Sequence, residues 1–292
     1  MSAGHCRLIL LRHGQSEWNE KNLFTGWMNP GLTAGGERQA VLAGQSLAEQ
    51  GLLPAAAHTS MLGRAIGSAS LLLAAMDRDW IPVRRSWQLN GQHYGALQGK
   101  DKTQAIAQFG ERQVRLWRRS YDNPPPPAPA DMQRLLFSDP RYAGLSPYTR
   151  PNAESLKAVT ARLLPYWYDA IVPDLLSYGC VLIVSHGNAL RALVKHLDAT
   201  PDEAVGHLEI PNAVPLVYEF DSALHSLMAG GRYLRREAPA QVPAWALHSG
   251  GIGSEELVQA GLGDEDRVRL ARDEGTSACD TSGRSEIIGS LY

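Results

Sequence analysis

RLILLRHGQSEWN, running from Arg7 to Asn19, decides how the chain is read. Its apolar run, Leu8 to Leu11, stops abruptly at Arg12-His13-Gly14. Such a run bounded by a glycine turn reads as a buried strand feeding a loop. In open α/β sheets ligands sit beyond the carboxyl ends of strands, so Arg12 and His13 fall where a ligand would bind. Arginine offers a planar fork of donors that matches phosphate oxygens. Histidine with one deprotonated ring nitrogen is a nucleophile able to carry a phosphoryl group. Gly14 lets the backbone approach closely. A second apolar run, Val181 to Val184, discharges in the same way into His186-Gly187. Two strands ending so can bring both imidazoles beside one anion.

The rest of the composition narrows the field. A chain of 292 residues with 44% hydrophobic and 20% charged residues has the makeup of a globular protein. A formal net charge of −2 supplies no field for nucleic acid or acidic membranes, so any anion site must be a local cluster of Arg, Lys and His. Cys6, Cys180 and Cys279 are too scattered for a disulfide framework or a metal site; the first two flank strand-like runs and read as buried reduced thiols. The opening MSAGHCR lacks the apolar region of a signal peptide, and no apolar run reaches the roughly 18 residues of a membrane span. A cytoplasmic protein without nucleic-acid or membrane partners is expected, and a homo-oligomer is left open.

Working outward, Thr33 caps a predicted helix to about Glu49, with Gly51 stopping it. Ala55 to Ser60 reads as a strand, Leu62 to Met76 as a helix and Pro82 to Arg85 as a brief strand. A helix from Lys102 to Ser120 is predicted to run into Pro124 to Pro127, followed by a long loop to about Asn152. Apolar residues at helical spacing then mark Ala153 to Leu176, ended by Gly179, and Val214 to Phe220 is a last strand. Strands alternating with helices predict an α/β sandwich with a mostly parallel sheet. Residues 1–230 are read as one catalytic domain. Residues 231–292, poor in core-forming side chains, are read as a tail, flexible or loosely packed over the domain.

From Leu10 to Ala40, LLRHGQSEWNEKNLFTGWMNPGLTAGGERQA closely resembles the phosphohistidine signature of the 2,3-bisphosphoglycerate-dependent phosphoglycerate mutases, in the histidine phosphatase superfamily. The likeness continues through WRRSYDNPPPP (Trp117 to Pro127) and VLIVSHGNALRALVKHL (Val181 to Leu197). The resemblance implies the mutase-like three-layer α/β sandwich, with a mostly parallel central sheet. It places the nucleophile at His13, phosphate-binding arginines at Arg12 and Arg64, and the second histidine at His186. It also implies substrate contacts at Asn19, Thr25, Gly26, Tyr94, Lys102, Arg118, Arg119, Gly187 and Asn188. Phosphoryl transfer asks chiefly for in-line positioning and charge neutralisation, which this set supplies without metal. No Walker-type loop and no HExxH motif occurs. No permanently bound cofactor is therefore expected, with 2,3-bisphosphoglycerate as candidate phosphoryl primer and a small phosphorylated metabolite as substrate.

Six positions depart from the family pattern. The family reads LNERHYG where this chain has Leu89-Asn90-Gly91-Gln92-His93-Tyr94-Gly95. The family's acid/base Glu is thus Gly91 and its neighbouring Arg is Gln92. Gly63 and Gly67 replace basic residues around Arg64, Gln104 replaces a Glu, and His58 stands for an aromatic residue. Glycine at 91 is expected to leave space as well as remove the acid, with His93 and His58 as candidate stand-ins. The expected chemistry is phosphoglycerate mutase-like phosphoryl transfer with altered acid/base steps. A divergent phosphatase or phosphotransferase of a specialised biosynthetic pathway, and a non-catalytic phosphate-ligand binder, are the alternatives.

Overall fold

The computed structural model describes residues 6–221, 224–228 and 230–234. The opening run forms strand β1 (Cys6–Arg12). Leu8 and Leu10 enter one hydrophobic core while Ile9 and Leu11 enter another, which puts β1 inside a sheet covered on both faces. It pairs in parallel with β4 (Cys180–Ser185) and antiparallel with β5 (Leu216–Phe220). Strand β2 (Ala56–Thr59) lies parallel to both β4 and β3 (Val83–Arg85), and β6 (Arg232–Tyr233) adds antiparallel to β5. Among the described residues the sheet order is β3-β2-β4-β1-β5-β6, mostly parallel.

Helices α2 (Ala34–Glu49) and α3 (Gly63–Ala74) bring Ala43, Leu47, Leu72 and Leu73 to the core around Ile9 and Leu11. On the other face α7 (Leu156–Tyr166) and α9 (Gly187–Leu197) bring Val159, Leu163, Leu190 and Leu193 to Leu8 and Leu10. The result is the three-layer sandwich. Thr33 caps α2 by accepting the Gly36 amide at 3.0 Å, and the short helix α1 (Glu17–Glu20) is closed by reciprocal contacts between Ser16 and Asn19.

Three segments differ from the sequence reading. The single helix expected from Lys102 to Ser120 is two, α4 (Lys102–Phe109) and α5 (Glu111–Arg119), because Gly110 between them takes a φ of +81° that a helix cannot contain. The helix expected from Ala153 begins at Leu156 on a Ser155 cap. After Pro165 it passes through a π-helical turn, Trp167–Ile171, into α8 (Val172–Tyr178), since Pro165 and Pro173 lack the amide the α-helical ladder requires. The long loop expected before Asn152 contains α6 (Ala130–Phe137) and two 3₁₀ turns, Pro140–Tyr142 and Pro147–Thr149. Burial orders it: Leu136, Tyr142 and Leu145 pack with Trp27, and the Trp27 and Tyr142 rings lie 5.2 Å apart.

The sheet takes in Arg232–Tyr233, just past residue 230; the remainder of the expected tail from residue 235, with Cys279, lies outside the described residues. Cys6 is buried, and Cys180 is largely so, its thiol pushed up to about 11 by burial. No helix among the described residues is long and apolar enough to cross a membrane.

Candidate active site

Three adjacent parallel strands end side by side and carry the site. The β1–β4 register pairs Arg12 with Ser185, and the His13 amide donates to the Ser185 carbonyl at 3.0 Å. The next residues on both strands are therefore the two histidines. Their rings meet edge to face with centroids 4.9 Å apart. Strand β2 pairs Thr59 with Val184, which brings Ser60 alongside, its Oγ 2.8 Å from His186 Nε2. His186 also opens α9 with no side-chain cap on that helix terminus, a place favourable to an anion.

His13 donates from Nδ1 to its neighbour's carbonyl, Gly14 O, at 2.7 Å. That carbonyl can only accept, so the proton sits on Nδ1 and the lone pair on Nε2, the arrangement a nitrogen nucleophile needs. Burial, with Arg64 and Arg12 nearby, holds the His13 pKa well below the usual imidazole value. Burial and the same cations, with His13 and Arg162, do likewise to His186. Both rings are neutral at pH 7. The loop is fixed by close approach: a Cβ at Gly14 would lie 2.1 Å from Gly36 O, and the Gly14 amide donates to Ser68 Oγ at 3.0 Å.

Arg64 is only 2% exposed and is tied down at every arm. Its guanidinium donates to Gly26 O at 2.9 Å, Met28 O at 2.8 Å and His13 Nε2 at 3.2 Å. Burial pushes its pKa down to about 9, which still leaves it charged at neutral pH. Arg12 donates to Ile210 O at 2.9 Å, and a Cβ at Gly187 would lie 3.6 Å from its Nε. Two arginines and two neutral imidazoles thus converge, a set suited to an anion with a transferable group.

The remaining expected contacts form a second ring. Asn188 donates to Tyr94 Oη at 3.0 Å and to Gln92 Oε1, joining two of the matched positions to an altered one. Lys102 opens α4, its amide bonded to Asn22 O at 3.0 Å, so α4 is tied to the loop carrying Thr25 and Gly26. Asn19 spends Oδ1 on the Ser16 cap. Arg118 and Arg119 end α5 half-buried, and Arg119 pairs with Glu209 at 3.4 Å. None of these latter contacts reaches either imidazole.

At the altered positions the structure corrects one expectation. The space expected beside Gly91 is taken at its first atom: a Cβ there would lie 3.3 Å from His186 Cγ and 3.4 Å from His186 Cβ. Gln92 is buried, donating to Trp117 O at 3.1 Å and to Glu154 O. Gly63 donates to Asn29 Oδ1 at 2.7 Å, and a Cβ at Gly67 would touch only Leu32. Neither proposed stand-in faces the imidazole pair. His93 accepts from the Gly95 amide at 3.1 Å, lies 3.5 Å from the Gln98 amide, and burial lowers it to about 4. His58 lies within the sheet between Tyr166 Oη at 2.9 Å and Asp174 at 3.2 Å, again lowered to about 4 by burial.

Sequence reasoning missed Ser60, Ser68, Arg162 and Glu154. Arg162 pairs with Glu154 at 2.6 Å and donates to Asn90 O at 2.8 Å and Gly91 O at 2.9 Å, clamping the loop that carries Gly91. Its position on α7 among apolar residues gave no local signal; only Ser60, next to the recognised Arg64 segment, was within reach of the sequence.

Comparison with known proteins agrees with this geometry. The model of the histidine phosphatase superfamily (branch 1) matches residues 8–136 and 129–227. A 2,3-bisphosphoglycerate-dependent phosphoglycerate mutase of Streptomyces griseus is 58% identical over 80% of this chain and 92% of its own length. One of the same name from Streptomyces avermitilis is 56% identical, with the same coverage. Among solved structures, a mycobacterial glucosyl-3-phosphoglycerate phosphatase in complex with VO3 superposes with a TM-score of 0.56 at 26% identity, covering 73% of this chain and 92% of that one.

Proposed function

Since the chain belongs to the histidine phosphatase superfamily and is a phosphohistidine enzyme, we propose that His13 carries the phosphoryl group and that Gly91 sets which donors it accepts. The substrate of this reading is a small phosphorylated carboxylate of the phosphoglycerate class, primed by 2,3-bisphosphoglycerate. In the transfer, the substrate P–O bond breaks as a bond forms between phosphorus and His13 Nε2. The leaving oxygen keeps the electron pair and needs a proton unless it is weakly basic. Arg12 and Arg64 neutralise the equatorial oxygens.

One observation carries the altered-chemistry part. Position 91, where relatives of this kind are expected to carry a carboxyl group, is a glycine packed against His186, and the charged groups that most perturb both imidazoles are all cationic. Proton delivery to an alkoxide leaving group is then the weak step, while aryl or acyl phosphates, whose leaving groups depart as anions, are spared. The second reading, a phosphatase or phosphotransferase for a larger phosphorylated metabolite, draws support from the likeness to a glucosyl-3-phosphoglycerate phosphatase.

Intact-mass analysis after incubation with 2,3-bisphosphoglycerate tests the core of this proposal. An acid-labile gain of one phosphoryl group, lost in His13→Ala, is expected. Full labelling of His13→Ala would remove the nucleophile assignment, and no labelling of the wild type from either 2,3-bisphosphoglycerate or p-nitrophenyl phosphate would favour a phosphate-ligand binder.

A further inference from the structure

The buried hydrogen bonds around His186 balance in only one economical way. His186 is 5% exposed, and its Nδ1 is shut off from solvent with no partner among the described residues. Ser60 is fully buried; its Oγ accepts from the Leu62 amide at 3.2 Å and lies 2.8 Å from His186 Nε2. Suppose Nε2 carries the ring proton and donates to Ser60. The serine hydroxyl hydrogen then has no acceptor among these contacts and Nδ1 is a bare lone pair, leaving two buried groups unmet. With Ser60 donating to Nε2 instead, only an Nδ1–H is unmet. Each unmet buried group costs about 1–3 kcal/mol, so the second arrangement is preferred. An imidazolium would stand in a buried site beside Arg64 and Arg12 and is disfavoured.

Resting on the reading that His13 and His186 enclose the transferring group, we propose that Ser60 is a positioning residue that holds His186 in the Nδ1–H tautomer, so that this ring meets the phosphoryl oxygens as a neutral hydrogen-bond donor. His13 and His186 are then the same tautomer turned end for end. His13, whose Nδ1–H is spent on Gly14 O, carries its lone pair on Nε2, where it accepts from Arg64 at 3.2 Å until phosphorus takes that place. His186, whose Nε2 is spent on Ser60, keeps its Nδ1–H for an anionic oxygen. The wrong tautomer at His186 would set a lone pair against phosphoryl oxygens that only accept.

Histidine side-chain 15N NMR on the full chain reads the tautomer directly, in the wild type, Ser60→Ala and Ser60→Thr. The wild type and Ser60→Thr, which keeps the hydroxyl, are expected to show a protonated Nδ1 and an unprotonated Nε2 at His186. Ser60→Ala is expected to lose this preference and to label from p-nitrophenyl phosphate about tenfold to a hundredfold more slowly. A wild-type ring protonated on Nε2 overturns the proposal, which covers the case that Ser60→Ala fails to fold. An unchanged tautomer in Ser60→Ala, or a changed tautomer with full labelling rate, overturns it as well. The tautomer readout does not depend on His13, so labelling that survives in His13→Ala would defeat the nucleophile assignment while leaving the tautomer result standing.

Discussion

Returning a carboxyl group to position 91 should raise turnover on 3-phosphoglycerate. A positioned acid contributes roughly 10²–10⁴-fold, which is ~3–5 kcal/mol of the barrier. Packing works against it. The new Cβ would sit 3.3 Å from His186 Cγ, so the ring has to yield by a few tenths of an ångström. Crowding of this kind costs about 1–3 kcal/mol in a well-packed core. The side chain it displaces belongs to the site, so part of that cost falls on the rate. The expected net gain for Gly91→Glu is therefore about tenfold to a thousandfold. Gly91→Ala brings the Cβ without the acid and is expected to give no gain, so the Glu-to-Ala ratio isolates the carboxyl group. Coupled assay of 3-phosphoglycerate isomerisation and p-nitrophenyl phosphate hydrolysis, for all three proteins, makes the comparison. Only the first reaction should gain, because the aryl leaving group departs as an anion. A wild type that isomerises phosphoglycerate rapidly and gains nothing in Gly91→Glu would refute the reasoning, since the proton would then come from another group.

Two further outcomes follow from the buried polar groups. His58 and His93, each lowered from 6.5 to about 4 by burial, bind protons more readily unfolded than folded, so their contribution is fully present above pH 6.5 and is lost as pH falls towards 4. With up to roughly 3 kcal/mol from each, the urea midpoint should be clearly lower at pH 5.0 than at pH 7.5; equal midpoints would show that the rings protonate without cost. Arg162→Met strands Glu154, whose side chain is only 4% exposed, and releases the carbonyls of Asn90 and Gly91. Breaking such a pair costs about 3–5 kcal/mol, or roughly 6–20 °C in melting temperature for a domain of this size, and a shift of under about 2 °C would mean that water replaces the clamp.

The fold was legible wherever the signal was local. Leu8 to Leu11 and Val181 to Val184, continuous apolar runs ending in His-Gly turns, read as buried strands, and the parallel pairing of the two brings His13 and His186 together. Thr33 and Gly179 marked helix ends by chemistry that acts within a few residues. The segment after Pro127 was not legible, because α6 and Tyr142 are held by Trp27, a residue about a hundred positions away, and not by any periodicity of their own. The environment of Gly91 failed for the same reason. A missing side chain suggested room, but what fills the place arrives from another strand: His186 is set by the β1–β4 register, of which position 91 carries no trace.

The loop that bears Gly91 is held in a way that does not require a side chain at position 91. The anchors on either side of position 91 include several that grip main chain. Arg162 donates to the carbonyls of Gln88, Asn90 and Gly91, the Trp27 indole donates to Gly91 O at 2.8 Å, and Ser185 Oγ donates to Leu89 O at 2.6 Å. None of them depends on what side chain residue 91 carries. The backbone is thus held against β4 and α7 whether position 91 bears a carboxyl group or a hydrogen atom, and the two arginines and two imidazoles keep their places either way. A loop held through the side chain of residue 91 itself would move when that residue changes, and the phosphoryl cage with it. Anchoring through carbonyls separates the two properties: the scaffold fixes where a phosphoryl group is held, while residue 91 is free to change how the leaving oxygen is treated. On the proposed reading, position 91 is a point of control over leaving-group chemistry, and a carboxyl group placed there would enter a frame already built to hold its backbone.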